Sequence, residues 1–118
     1  METKDAVPAL AALAQENRLQ IFRALVEAGP EGVAAGQVAE RLEIPSPTLS
    51  FHLAQLRHAG LILVRREGRS LIYAANYACM NALIGFLTRN CCGEGTTVAV
   101  CKPQPAGAKA RRRAGASR

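Results

Sequence analysis

Residues 46–64, SPTLSFHLAQLRHAGLILV, read as a surface helix that runs directly into a β-strand. The first two residues predict the helix start, because a Ser46 oxygen can cap backbone N–H groups and the fixed φ of Pro47 suits the first helical position. Gly60 predicts that the helix ends at about Ala59. After Gly60 the pattern changes from the helical period to one that is typical of a strand.

The predicted helix has one apolar stripe and one polar face. At about 100° per residue, Leu49, Leu53 and Leu56 fall on a narrow line that should be buried. The remaining surface carries hydroxyl, amide, aromatic and basic groups but no acid, which suits a helix in the major groove of duplex DNA. The same periodicity also fits an ordinary amphipathic surface helix. Outside the leucine stripe lie Ser46, Pro47, Thr48, Ser50, Phe51, Ala54, Gln55, Arg57 and His58.

A β-hairpin is predicted immediately after this helix. Residues 61–66 and 70–74 are rich in β-forming side chains, and Glu67 with Gly68 can form the turn between them. Three arginines near the tip would neutralise DNA phosphates or enter a minor groove, as expected for the wing of a winged-helix fold. A solvated hairpin end is the alternative interpretation. The three arginines are Arg65, Arg66 and Arg69.

The residues before this stretch predict three shorter helices. Apolar residues recur at helical spacing at about 6–14, 17–28 and 36–42. The third of these helices and the helix at 46–59, joined by a short turn, match a helix-turn-helix. The side chains expected to face the core are Leu10, Leu13, Leu19, Phe22, Leu25, Val26, Val38, Ala39 and Leu42.

A final helix is predicted from about residue 77 to residue 90. A small domain leaves little core for it to cover, so its apolar stripe is expected to meet a second copy of the chain. Packing against the first helix is the alternative, and both contacts are compatible. If the helix continued, Cys91 would lie within about 20° of the stripe. The stripe consists of Met80, Leu83, Ile84 and Leu87.

Length and composition predict one folded domain with a basic extension. The 118 residues are 49% hydrophobic, and no apolar run reaches the roughly 18 residues of a membrane helix. We therefore expect a cytoplasmic protein that does not bind membranes. The formal charge of +6 comes from the residues after Cys101, because acidic and basic side chains balance in residues 1–101. We expect residues 1–92 to form the DNA-binding and dimerisation domain, and residues 93–118 a sensing loop with a disordered basic tail.

Two segments carry a resemblance to a known family. They are ENRLQIFRAL at 16–25 and PSPTLSFHLAQLRHAGLILVRREGRSLIYAAN at 45–76. The order and spacing of several short elements in these segments resemble the ArsR/SmtB repressors, over about residues 8–90. These elements are Ser, His-Leu, Leu-Arg, Ala-Gly-Leu and Arg-Glu-Gly-Arg. The resemblance implies a mainly α winged helix-turn-helix fold with a small β-hairpin. It also implies a homodimer formed through the terminal helices, which binds double-stranded operator DNA and senses metals or metalloids.

The resemblance also assigns the DNA-facing positions of the recognition helix. It places Ser46, Thr48, Ser50 and Phe51 toward DNA, with Phe51 standing where a polar residue is often found and able to touch a thymine methyl group. Gln55, Arg57 and the three hairpin arginines complete the predicted DNA-binding set. His52, at the edge of the leucine stripe, is expected to be a half-buried packing residue.

The sensing site is also assigned by resemblance. The segment VAERLEIP at 38–45 has no cysteine, and residues 77–90 have neither histidine nor carboxylate, so two other ligand sets of the family are missing. Cys91, Cys92 and Cys101 resemble the branch of arsenic repressors whose three-thiol site follows the final helix. Cys79 is expected to be a small buried hydrophobic residue.

Three thiolates form a soft ligand set that suits trivalent arsenic or antimony, whereas zinc normally takes four ligands. The sequence thus predicts a repressor that arsenite or antimonite releases from operator DNA by binding Cys91, Cys92 and Cys101. A redox-sensing repressor of the same fold is the main alternative, because exposed thiols also oxidise. Chance thiols in a mobile tail, an architectural DNA binder without sequence preference and a small thiol enzyme are the others. We expect no enzyme, because a Cys-x-x-Cys on a βαβ unit is missing.

Overall fold

The computed structural model describes residues 1–89, which form five α-helices and a three-stranded antiparallel sheet. The mainly α winged-helix architecture predicted from the sequence is confirmed. Along the chain the elements are α1 (Thr3–Leu13), α2 (Glu16–Ala28), β1 (Val33–Ala34), α3 (Ala35–Leu42), α4 (Ser46–His58), β2 (Ile62–Glu67), β3 (Ser70–Ala75) and α5 (Tyr77–Thr88).

The sheet has the order β1-β3-β2, so the predicted hairpin carries an additional edge strand. β1 pairs with β3 through Val33 opposite Tyr73, in a segment that the sequence indicated only as a connection. Gly32 makes this approach feasible, because its φ is +83° and a Cβ there would lie 2.7 Å from the Tyr73 carbonyl oxygen. A strand of two residues is too short for an alternating pattern, which is why the sequence did not indicate it.

The core contains the leucine stripe of α4, as predicted. Leu49, Leu53 and Leu56 are buried, and α4 packs against α1, α2, α3 and β2. Leu61 and Ile62, which follow α4 directly, are also buried. The stretch at residues 46–64 therefore contributes to the centre of the fold.

The prediction for α1 was wrong about which side faces inward. Ala6, Ala9 and Ala12 are buried, whereas Leu10 is exposed and Leu13 is only partly covered. The small alanine side chains let α1 lie close to its neighbours. Close packing, more than the hydrophobicity of each side chain, therefore decides which face of α1 is buried. The larger apolar side chains are left on the outer side of the helix.

Leu19 was also assigned wrongly to the core. It is exposed, and Ile21 takes the inward position beside Phe22, Ala24 and Leu25. Periodicity alone did not separate these two neighbouring stripes of α2. The other side chains predicted to face the core do so in part. Val38 is buried, while Val26, Ala39 and Leu42 are partly covered.

The helix ends differ from prediction at two places. Pro45, not Ser46, occupies the N-cap of α4, and the cap has no side-chain hydrogen bond. At the other end of the chain, α5 stops at Thr88 because Arg89 is extended, with a ψ of 128°. The predicted continuation of α5 beyond Thr88 therefore does not hold, and Cys91, to which the helical stripe was projected, lies outside the described residues. No helix within residues 1–89 is long and apolar enough to cross a membrane.

Candidate DNA-binding surface

The outer face of α4 presents the side chains that the sequence assigned to DNA. All of them are exposed, while the leucines on the opposite side are buried, so α4 has one face in the core and one face in solvent. No acidic residue occurs in α4, and its only charged groups stand in the last turn. Phe51 is 58% exposed, which is unusual for a large aromatic side chain and compatible with contact to a base methyl group. The exposed candidates are Ser46, Thr48, Ser50, Phe51, Gln55 and Arg57.

The turn before α4 has a feature that the sequence did not reveal. Glu43 adopts a left-handed conformation with φ of +56°, although it is not a glycine. This geometry lets the Ile44 amide donate to the Ala39 carbonyl over 3.0 Å and brings the Ile44 side chain into the core. Glu43 thus sets the angle between α3 and α4, the two helices of the helix-turn-helix.

His52 lies on the inner side of α4 and is more deeply buried than predicted. Only 7% of it is exposed, and its Nδ1 has no hydrogen-bond partner among residues 1–89. Burial, and secondarily the positive charge of Arg18, lowers the pKa of His52 below its ordinary value. Its ring meets the Phe51 ring edge-on, with centroids 5.6 Å apart. His52 is therefore a buried packing residue that supports the exposed Phe51.

The wing ends in a tight turn at Gly68 and Arg69, with Glu67 paired to Ser70 as the last rung. The three predicted arginines are all exposed there, but their surroundings differ. Arg65 forms an ion pair with Glu67, whereas Arg66 and Arg69 form no ion pair with any residue between 1 and 89. Within the described part of the chain, two of the three wing arginines are therefore exposed to solvent without an acidic partner.

Asn76 connects the end of the recognition helix to the start of α5. Gly60 and Leu61 close α4 through bonds to the Arg57 and Leu56 carbonyls, which is the Schellman pattern. The Asn76 backbone amide then donates to Leu61 over 2.8 Å, and its side chain donates to Gly60 over 2.9 Å. The Asn76 side-chain oxygen also accepts the Cys79 amide at the first turn of α5. Sequence periodicity did not indicate this polar junction.

The predicted metalloid ligands Cys91, Cys92 and Cys101 lie outside the described residues, as does the basic tail. Within residues 1–89 no group of three or more His, Cys, Asp or Glu side chains is placed to hold a metal ion. Cys79 is partly buried rather than fully buried, and burial raises the pKa of its thiol. This thiol is therefore a weak nucleophile and a weak metal ligand at neutral pH.

An acid-free recognition helix on a helix-turn-helix, followed by a basic wing, defines a winged-helix DNA-binding protein. A family model described as a helix-turn-helix domain matches residues 13–65. The transcriptional activator HlyU of Vibrio cholerae is 37% identical over 87 residues, which are 74% of this chain and 78% of HlyU. The chain belongs to the ArsR/SmtB-like family of winged-helix transcriptional regulators.

Solved structures agree with this assignment. An ArsR-like transcriptional regulator from Rhodococcus sp. RHA1 superposes with a TM-score of 0.65 at 29% identity, covering 74% of this chain and 79% of the other. The homodimeric winged helix-turn-helix DNA-binding domain of Mb0332 from Mycobacterium bovis gives a TM-score of 0.59 at 28% identity, covering 72% and 79%. These relatives are regulators and not enzymes, so the expectation that this chain is not an enzyme is confirmed.

Proposed function

We propose that this protein is a dimeric repressor that binds a palindromic operator and leaves it when trivalent arsenic or antimony binds Cys91, Cys92 and Cys101. The observation that carries the DNA-binding part is the exposed, acid-free face of α4 beside a wing with uncompensated arginines. In this arrangement the hydroxyl, amide and aromatic groups of α4 read base edges, and the wing arginines neutralise backbone phosphates.

The proposed dimer joins the terminal helices of two chains. α1 and α5 pack against each other and leave large apolar side chains uncovered. Leu83 is the only buried residue of α5, while Ile84 is 51% and Leu87 is 56% exposed. Covering a half-exposed side chain of this size contributes about 1 kcal/mol, so a second copy gains stability by packing here. The similar Mycobacterium bovis domain is homodimeric, which supports a dimer.

A dimer also explains how the surface would select DNA. Two recognition helices related by a two-fold axis would meet successive major grooves about 34 Å apart, and the operator would repeat its sequence as a palindrome. Changing the separation of the two α4 helices is then enough to weaken binding, without any change in α4 itself.

The proposed ligand follows from the chemistry of the thiols that come after α5. Cys91, Cys92 and Cys101 would supply three soft sulfur ligands without a histidine or a fourth cysteine nearby in the sequence. Trivalent arsenic and antimony keep a lone pair and take three sulfurs, whereas a structural zinc site takes four ligands. The donor set therefore fits a metalloid better than zinc.

Coupling between ligand and DNA would pass through the chain's own α5. Asn76 caps the start of this helix and donates its side-chain amide to the Gly60 carbonyl at the end of α4, and the three cysteines follow the helix in the sequence. A change at the cysteines that shifts α5 in the dimer would thus act on the recognition helix. Such coupling is reciprocal, so operator DNA would weaken metalloid binding by the same factor.

Fluorescence anisotropy with a duplex selected from random sequence by the ligand-free protein tests the proposal. We expect tight binding that arsenite or antimonite reverses, and we expect a Cys92→Ser variant to stay bound. Cys79→Ser is the matched control and should respond like the wild type. Release by peroxide without any response to arsenite or antimonite would instead identify a redox-sensing repressor.

A further inference from the structure

The three arginines of the wing are not equivalent. Because side chains alternate along a strand, Arg65 and Glu67 share one face of β2 while Arg66 lies on the other face. Arg69 stands in the turn that follows. Glu67 is the single acidic residue between positions 62 and 75, so its carboxylate has three arginines within the same hairpin and is paired with one.

The contact between Arg65 and Glu67 combines a hydrogen bond with an ion pair. Nε donates to the carboxylate oxygen Oε2 over 2.8 Å, and Nη2 lies 2.8 Å from the same oxygen. The side chains remain 47% and 58% exposed, so the pair lies at the solvent-accessible surface of the wing. While its Nε–H bonds Glu67, the guanidinium is held along the strand and cannot offer that N–H group to a phosphate.

We propose that Glu67 is a positioning residue that holds Arg65 away from DNA, so that the wing contacts phosphates through Arg66 and Arg69 only. The inference rests on the DNA-binding part of the proposed function. Glu67 then sets the electrostatic strength of the wing: it removes one phosphate contact and keeps sequence-independent binding low relative to base readout by α4. A regulator that must leave DNA on demand benefits from this limit, because nonspecific affinity also opposes release.

The salt dependence of DNA binding measures the number of phosphate contacts. Each contact adds about 0.9 to the slope of log affinity against log salt concentration. We therefore expect the slope of Glu67→Gln to be steeper than that of the wild type by about 0.9. The affinity should rise by up to about five-fold, since an exposed ion pair contributes at most about a factor of five.

A double-mutant cycle separates the release of Arg65 from the loss of a negative charge. Arg65→Ala should leave the slope unchanged in the wild-type background, where the guanidinium is held by Glu67. The same substitution in the Glu67→Gln background should lower the slope by about 0.9, because it then removes a phosphate contact. Slopes are measured by anisotropy on a random-sequence 30-base-pair duplex, and circular dichroism verifies that each variant is folded.

Glu27→Gln is the matched control. Glu27 is another exposed glutamate in ion pairs, with Arg23 and Arg41 at 3.3 and 3.2 Å, and it lies on α2 instead of the wing. The control makes the same change in net charge and should leave the slope unchanged.

Two results for the wing variants would overturn the inference but leave the proposed function intact. One is a normal wild-type slope that stays the same in Glu67→Gln, and the other is a slope that already falls in Arg65→Ala. A steeper slope in the Glu27→Gln control would also overturn it, because net charge would then explain the effect. Absence of duplex binding by the wild type would overturn the proposed function together with the inference.

Discussion

The side-chain amide of Asn76 donates a hydrogen bond to the Gly60 carbonyl over 2.9 Å, joining two positions that are 16 residues apart. Gly60 ends the recognition helix, and Asn76 caps the helix proposed to form the dimer. The two helices with different proposed tasks are therefore connected by one side chain at the base of the wing. A movement of α5 that breaks or bends this bond changes the end of α4 directly.

Asn76→Ala should lower the free energy of unfolding by about 2 kcal/mol, because it removes an N-cap and a hydrogen bond to Gly60. Urea denaturation measures the loss, and anisotropy should show weaker operator binding. Asn76→Asp is the informative control, since its carboxylate still accepts from the Cys79 amide but cannot donate to Gly60. If Asn76→Asp binds the operator like the wild type, the bond to Gly60 does not position α4.

His52 should make the folded protein sensitive to acid. Its pKa is lowered in the folded state, so below pH 6.5 the unfolded chain takes up a proton that the folded chain resists. Stability from this group is complete above pH 6.5 and is lost as the pH falls, by at most about 1.4 kcal/mol per pH unit. In urea denaturation between pH 7.5 and 5, roughly the range in which histidine titrates, His52→Leu should show a flatter profile than the wild type. His58→Leu, the same substitution at an exposed position of the same helix, is the matched control for effects unrelated to burial.

Gly32→Ala should destabilise the sheet by about 2 kcal/mol or more, because a Cβ at this position meets the Tyr73 carbonyl and the φ of +83° is unfavourable for alanine. Gly36→Ala, where a Cβ has open space inside α3, should be neutral or slightly stabilising. Thermal unfolding of the two variants compares them. Equal melting temperatures would show that the approach of β1 to β3 does not need glycine.

Replacing both Ile84 and Leu87 with lysine should convert the proposed dimer into a monomer. Two charged side chains on the uncovered face of α5 would have to be desolvated for the helices to meet, which opposes association. Light scattering after size exclusion gives the mass directly. Leu63→Lys introduces a charge at a similarly exposed leucine on the wing and should leave the dimer intact, so loss of mass in that variant would point to a different interface.

Phe51 should contribute to operator choice through contact with a thymine methyl group. Substituting uracil for that thymine should weaken wild-type binding by about four-fold, the value of one buried methyl group. In Phe51→Ala the same DNA substitution should have no effect. Scanning the selected operator one thymine at a time, with anisotropy as the readout, identifies the position. If no thymine-to-uracil change affects the wild type, Phe51 has another role.

The parts of the fold that could be predicted from sequence have strong local signals. The leucine stripe of α4 repeats at the helical period, and its burial follows from that period. The hairpin was predicted from its β-forming residues and the turn at Glu67 and Gly68, and its strands pair around that turn. The α1 stripe was assigned wrongly because the three buried alanines are less hydrophobic than the leucines beside them. Their burial depends on how closely the neighbouring helices approach, which a single helix does not encode.

The exposure of the candidate residues was predictable, but their contacts were not. The exposure of Phe51 followed from the helical period, and that of the wing arginines followed from their position near the hairpin tip. The pairing of Arg65 with Glu67, the left-handed Glu43 and the bonds of Asn76 depend on the relative placement of separate groups. Local sequence patterns contain no signal for such contacts, except that residues 65 and 67 of one strand must share a face.

In the proposed dimer, the alanine-lined inner side of α1 would link folding to protein concentration. Ala6, Ala9 and Ala12 give the helix little apolar area to bury within its own chain, while Val7 and Leu10 are left exposed. In the proposed dimer, α1 would gain much of its stability from the partner, so assembly and folding become one equilibrium governed by mass action. Dilution would then act on this protein as a mild denaturant, with a melting temperature that rises with concentration. The cellular copy number of such a regulator would set how much of it is folded as well as how much of its operator is occupied.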